Sequence, residues 1–94
     1  MKQPIPPVVV NFNRFHGEMV KITRETVWGN PYVIGRHGTR EEVLALYAEY
    51  VDSCPYLQSL LHTLEGKRLG CGCHPLACHG DVLVRAFKKK FGIE

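Results

Sequence analysis

The sequence has no apolar run near the roughly 18 residues that a bilayer span requires, no low-complexity tract and no visible repeat. A membrane helix and a disordered or fibrous chain are thereby set aside. The opening stretch MKQPIPP carries one Lys and three Pro and leads into an apolar run of only three residues, so it lacks the apolar centre of a signal peptide. The expected compartment is the cytoplasm, where thiols stay reduced, and the four cysteines are not expected to form two disulfides. Charge of one sign is also scarce: 12 basic against 9 acidic residues give a formal charge of +3. That balance is milder than a dedicated nucleic-acid binder usually shows.

What is present fits one small domain. A chain of 94 residues buries only about 60–65% of its unfolded surface and cannot support two cores. Residues 1–7 read as an N-terminal arm and 8–94 as a single α/β domain. The β-branched run in PPVVVNFNRF and the alternation of Val20 and Ile22 with Lys21 and Thr23 predict two strands, paired as a hairpin. WGNPYVIGRHG is dense in turn formers and reads as an irregular loop, with Tyr32 to Ile34 free to pair briefly as a strand.

Thr39 followed by Glu42 has capping-box spacing, so a helix starts there, with Val43, Tyr47, Tyr50 and Val51 as its core stripe. A second helix opens with Pro55 in its first turn, buries Leu57, Leu60, Leu61 and Leu64, and stops at Gly66. KRLGCGC predicts a strand with Leu69, Cys71 and Cys73 on one face and only Gly70 and Gly72 on the other, a bareness that lets backbone or ligand approach closely. A last helix runs through CHGDVLVRAFKKKF with Leu83, Phe87 and Phe91 inward. The order β-β-α-α-β-α implies an α/β (α+β) domain, a sheet of three or four strands covered by about three helices.

The stretch CGCHPLACHGD holds three cysteines and two histidines in eleven positions, and three readings stand open. Cys71, Cys73 and Cys78 with His79 or His74 make a Cys3His set of the number and type that tetrahedral zinc takes, although C-x-C followed by C-H is not the usual knuckle spacing. Alternatively, Cys78 at a helix start is a candidate nucleophile: unpaired amides there lower a thiol's pKa and attract phosphate, with His79 or His74 as base and Asp81 as orienter or acid. The plainest reading makes the cysteines small core residues and Asp81 a helix-start residue matched to the dipole. Cys54 belongs to that last category.

Taken together, WGNPYVIGRHGTREEVLALYAEYV and LEGKRLGCGCHPLACHGDVLVRAF resemble the small phage and bacterial domains grouped as domain of unknown function 4326, over residues 8–87. The likeness rests on Val9, Val10 and Asn11; on Gly29, Asn30 and Pro31; on Gly35, Gly38, Thr39 and Arg40; and on Cys71, Cys73, Pro75, Cys78, His79, Gly80 and Asp81. Family members often carry an aromatic residue between the paired cysteines, where this chain has Gly72. The resemblance implies a fold and a site without a reaction, and a host cytoplasm as the setting if the chain is phage-encoded.

It directs attention to Asn11 at a strand end, to Trp28 and Asn30 in the Gly-Asn-Pro loop, and to Arg40, a cation in a helix's first turn where the dipole disfavours it. A guanidinium there suits an anion clamp. The leading expectation is a pocket for a phosphate-bearing ligand, a nucleotide or nucleic-acid end, lined by Asn11, Trp28, Asn30, Arg40, Cys78, His79 and Asp81, with catalysis left open. The competing expectation is a zinc-stapled, non-enzymatic module that binds a host protein or nucleic acid. A third places nucleic acid on Arg85, Lys88, Lys89 and Lys90, away from the cysteines.

Overall fold

A computed structural model of the chain describes residues 4–72 and 78–93. Strands β1 (Val8–Asn11), β2 (Val20–Lys21) and β3 (Arg68–Cys71) form one sheet, and helices α1 (Arg40–Ser53), α2 (Pro55–Leu60) and α3 (His79–Phe91) cover one of its faces. This is the small α/β domain, in the element order, that the sequence predicts.

The hairpin is corrected. The strand order is β1-β3-β2, and β3 runs parallel to both neighbours. Alternation reports which face a residue occupies and is silent on strand direction. The central place goes to the strand buried on both sides: Leu69, Gly70 and Cys71 are all buried. A parallel sheet needs such a strand at its centre.

Register sorts the side chains. Val9 opposite Leu69, and Asn11 opposite Cys71, belong to the helix-covered face, while Val10 and Lys21 opposite Gly70 belong to the other. Because β1 and β2 are parallel, residues 12–19 must return the chain along the sheet, and eight residues span up to about 26 Å, ample for a four-residue strand. The return runs over the bare glycine face: a Cβ on Gly70 would lie 2.6 Å from the Met19 sulfur, and one on Gly72 would lie 3.2 Å from Phe12 Cζ. The close approach anticipated for that face is thus made by the chain itself. Tyr32 to Ile34 form no strand and sit in turns, where the His37 ring accepts from the Val33 amide at 2.8 Å.

Both helix starts follow their local signals. The Thr39 hydroxyl accepts from the Glu42 amide at 3.2 Å, and the Glu42 carboxylate accepts from the Thr39 amide at 3.0 Å, which holds that carboxyl below its usual range. Helix α2 begins at Pro55 and tightens into a 3-10 turn over Leu61–Leu64, so the predicted second helix is real but split. Tyr47, Val51, Leu57, Leu61, Leu64, Leu69, Leu83 and Phe87 form the centre of one core; Tyr50 and Phe91 pack half-buried at its margin. Gly80 lets α3 lie close on the sheet, since a Cβ there would sit 3.0 Å from Val9 and Ile22 side-chain carbons. At the other end of the chain, Pro7 is buried and the Ile5 carbonyl accepts from the Gly66 amide at 2.8 Å, which ties the arm to the turn before β3. Among the described residues no helix is long and apolar enough to cross a membrane.

Candidate functional site

Parallel strands bring all three carboxyl ends to one edge, where open α/β sheets hold their ligands. Phe12 follows β1, Thr23 and Arg24 follow β2, and Gly72 follows β3. Helix α3 starts at the same edge with Cys78 as its N-cap. The loop bearing Asn30 and Tyr32 and the first turn of α1 bearing Arg40 close the far side. Together these residues line a cleft of about 450 Å³ whose apolar wall comes from Val33, Ile34, Val43 and Leu44. Among the described residues two arginines, Arg24 and Arg40, line it and no Asp or Glu does.

Four of the site residues expected from sequence therefore share one cleft: Asn30, Arg40, Cys78 and His79. Asn30 Oδ1 accepts from the Tyr32 amide at 2.8 Å and shapes the turn. Arg40 stands at the first helical position of α1, on the cleft wall. His79 is half-buried; its Nε2 lies 2.5 Å from the Ile22 carbonyl, and its ring meets Tyr47 edge-on at 5.3 Å. A carbonyl only accepts, so Nε2 carries the proton and Nδ1 is the unprotonated nitrogen of the neutral ring. Burial holds the His79 pKa below its ordinary value; the Ile22 carbonyl opposes that shift and the Arg24 charge adds to it.

The other expected residues lie elsewhere. Trp28 is 4% exposed and belongs to the core, where its carbonyl accepts from the Tyr47 hydroxyl at 2.6 Å. Asn11 ends β1 and turns the chain there by accepting from the Asn13 amide at 2.8 Å. Asp81 accepts from the Cys78 amide at 3.1 Å and so caps α3; it lines a separate groove together with residues that include Pro7, Val9, Arg85 and Lys88. It completes the helix start and faces away from the cleft. Arg85 and Lys88 line that second groove, and Lys89 pairs with Asp52 at 3.4 Å on the surface. The basic end of α3 and the cleft are therefore separate.

The surroundings of Cys78 oppose the expected activation. Its side chain is 2% exposed. Burial, followed by the adjoining Cys71 thiol, pushes its pKa up to about 12, outweighing the Gly80 and Asp81 amides that act in the opposite sense. Cys78 is a neutral thiol at the base of the cleft. Cys71 is buried beside it in the core. Cys73 and His74, the other proposed ligands of a Cys3His set, lie outside the described residues. Among the described residues, no three His, Cys, Asp or Glu side chains cluster so as to hold a metal ion.

Arg24, Tyr32 and Phe12 belong to the cleft and do not stand out in the sequence. The signal that finds them is strand direction: once β1 and β2 are parallel, the residues after both strands face the same edge. Phe12 also bears on the missing aromatic at position 72, because its ring occupies the space beside Gly72 where such a side chain would begin.

An uncharacterised 12.4 kDa protein of Enterobacteria phage T4, from the nrdA-td intergenic region, is similar to this chain. The two are 39% identical over 83 residues, which covers 80% of this chain and 76% of the phage protein. No solved structure matches the chain. The profile of the domain of unknown function DUF4326 matches residues 10–89, most of the sheet, α1, α2 and most of α3, and the chain belongs to that family.

Proposed function

We propose that the cleft binds the phosphate of a nucleotide or of a nucleic-acid end. The observation that carries this reading is the pair of arginines, Arg24 and Arg40, on the wall of a cleft of about 450 Å³ that, among the described residues, no Asp or Glu lines. That volume lies within the range of small-molecule sites, roughly 300–1,000 Å³. Arginine presents planar paired donors that match phosphate oxygens. Phe12 and Tyr32 supply aromatic surface suited to a base, and Asn30 supplies an amide for its polar edge. Neutral His79, with Nδ1 free of the proton, is the group available for hydrogen bonding or for accepting a proton from a bound hydroxyl or water.

Thermal denaturation with added nucleoside monophosphates, and with inorganic phosphate, tests the reading. Ligand at about 10 Kd adds about 1.4 kcal/mol, a Tm rise of about 6–11 °C for a domain of this size. Arg40→Ala and Arg24→Ala should keep the native circular dichroism and lose most of that rise. Equal stabilisation in both variants, or none in the unaltered protein, refutes it.

The zinc-stapled alternative draws on the adjoining Cys71 and Cys78 thiols as two donors. Elemental analysis of protein purified without chelator decides it. Near-stoichiometric zinc, with unfolding on chelation, would establish the metal as part of the fold.

A further inference from the structure

The face of the sheet turned away from the helices carries its own pattern. The return segment after β1 lays Phe12 and Phe15 across it, both half-buried. Each ring has a cation against it: Arg68 Cζ is 5.1 Å from the Phe15 centroid and Lys21 Nζ is 5.9 Å from the Phe12 centroid. Both cations come from strand positions that register assigns to this face. Phe12 is shared with the cleft, so the aromatic face and the arginine-lined cleft meet at that residue.

We propose that this surface is a track for single-stranded nucleic acid, with bases stacking on Phe12 and Phe15 and phosphates lying against Lys21 and Arg68. Half-buried aromatic rings, each beside a cation, on the segment that covers this face suit unpaired bases, whose π-faces are exposed. A duplex hides those faces inside its own stack. The mild net charge of the chain fits a short track of a few phosphates. The inference rests on the cleft reading at one end only, since a phosphate of the strand would occupy the cleft beside Phe12.

Fluorescence anisotropy with a labelled oligothymidylate of about twelve nucleotides tests it. The same strand in a duplex and a polyglutamate competitor serve as controls. The single strand should bind more tightly at low salt, and its duplex about tenfold or more weakly. Phe15→Ala, outside the cleft, should weaken binding about fivefold or more, the loss of one stacked base. Arg68→Ala, at an exposed position, should lower the salt slope by about 0.7, the value for one phosphate contact. Neither variant should alter stabilisation by a nucleoside monophosphate. Wild-type binding in both variants, or equal binding of duplex or displacement by polyglutamate, overturns the proposal. If mononucleotides stabilise the fold but the oligonucleotide binds no more tightly, the track falls and the cleft stands. If the oligonucleotide binds through Phe15 while no mononucleotide stabilises, the track stands and the cleft reading falls.

Discussion

Replacing Tyr47 with phenylalanine removes one oxygen from the centre of the molecule. Tyr47 is fully buried on α1, and its hydroxyl donates to the Trp28 carbonyl at 2.6 Å. That bond fastens the start of the Gly-Asn-Pro loop to the helix that carries Arg40. Tyr47→Phe keeps the ring and its edge-on contact with His79, so no cavity term is expected beyond the hydroxyl. What remains is a buried carbonyl without this donor, which costs about 1–3 kcal/mol. For a domain of this length each kcal/mol is worth about 4–8 °C, so a cost of about 2 kcal/mol lowers Tm by about 8–16 °C. Circular dichroism melts with parallel urea titrations measure this, and the urea m-value should not change. Burial also raises the Tyr47 pKa above its ordinary value of 10.0. A raised folded-state pKa gives stability that is complete below pH 10.0 and is lost as pH rises further. The variant should therefore lose less stability than the parent above that pH. A Tm within about 2 °C of the parent, with unchanged alkaline sensitivity, would refute the reasoning.

Two further outcomes follow from the groups at the cleft. Burial depresses the His79 pKa below 6.5; the unfolded chain then binds the proton more readily, so stability is complete above about pH 6.5 and is lost as pH falls through the folded value. Urea midpoints should drop between about pH 7.5 and about pH 5.5, and His79→Gln should flatten that drop; an equal drop in the variant contradicts the assignment. Cys78, with its pKa pushed up to about 12, should be alkylated by iodoacetamide near pH 8 much more slowly than half-buried Cys54. Peptide mapping reads the order of modification, and early labelling of Cys78 would show that its thiol is activated after all.

The helices were legible because their signals are local. Thr39 and Glu42 are three residues apart and cap one another whatever surrounds them, and Pro55 marks a first turn by its own ring geometry. Strand positions were legible from alternation, and the glycine-bare face of β3 announced that something would lie close to it. The pairing was not legible, because a hairpin and a parallel pair show the same period of two. That single difference determined which site residues could be named. In a hairpin the end of β2 would sit at the opposite edge from the end of β1, so Arg24 and Phe12 had no reason to be grouped with Asn30 and Arg40. Asp81 is ambiguous in sequence for a different reason: a helix-start acid reads the same whether its carboxylate serves a ligand or its own N-cap amide, and here it accepts from that amide.

By itself the sequence determined the inventory of this protein: one α/β domain, helix starts at Arg40, Pro55 and His79, and a cluster of sulfur and imidazole at the end of the third strand. Those follow from interactions between residues a few positions apart. Tertiary structure alone decided that β3 lies between β1 and β2, that Arg24 and Arg40 share a cleft, and that Cys78 is buried, which raises its pKa. Burial and through-space charge set those properties, and both depend on groups that the chain brings together from distant positions.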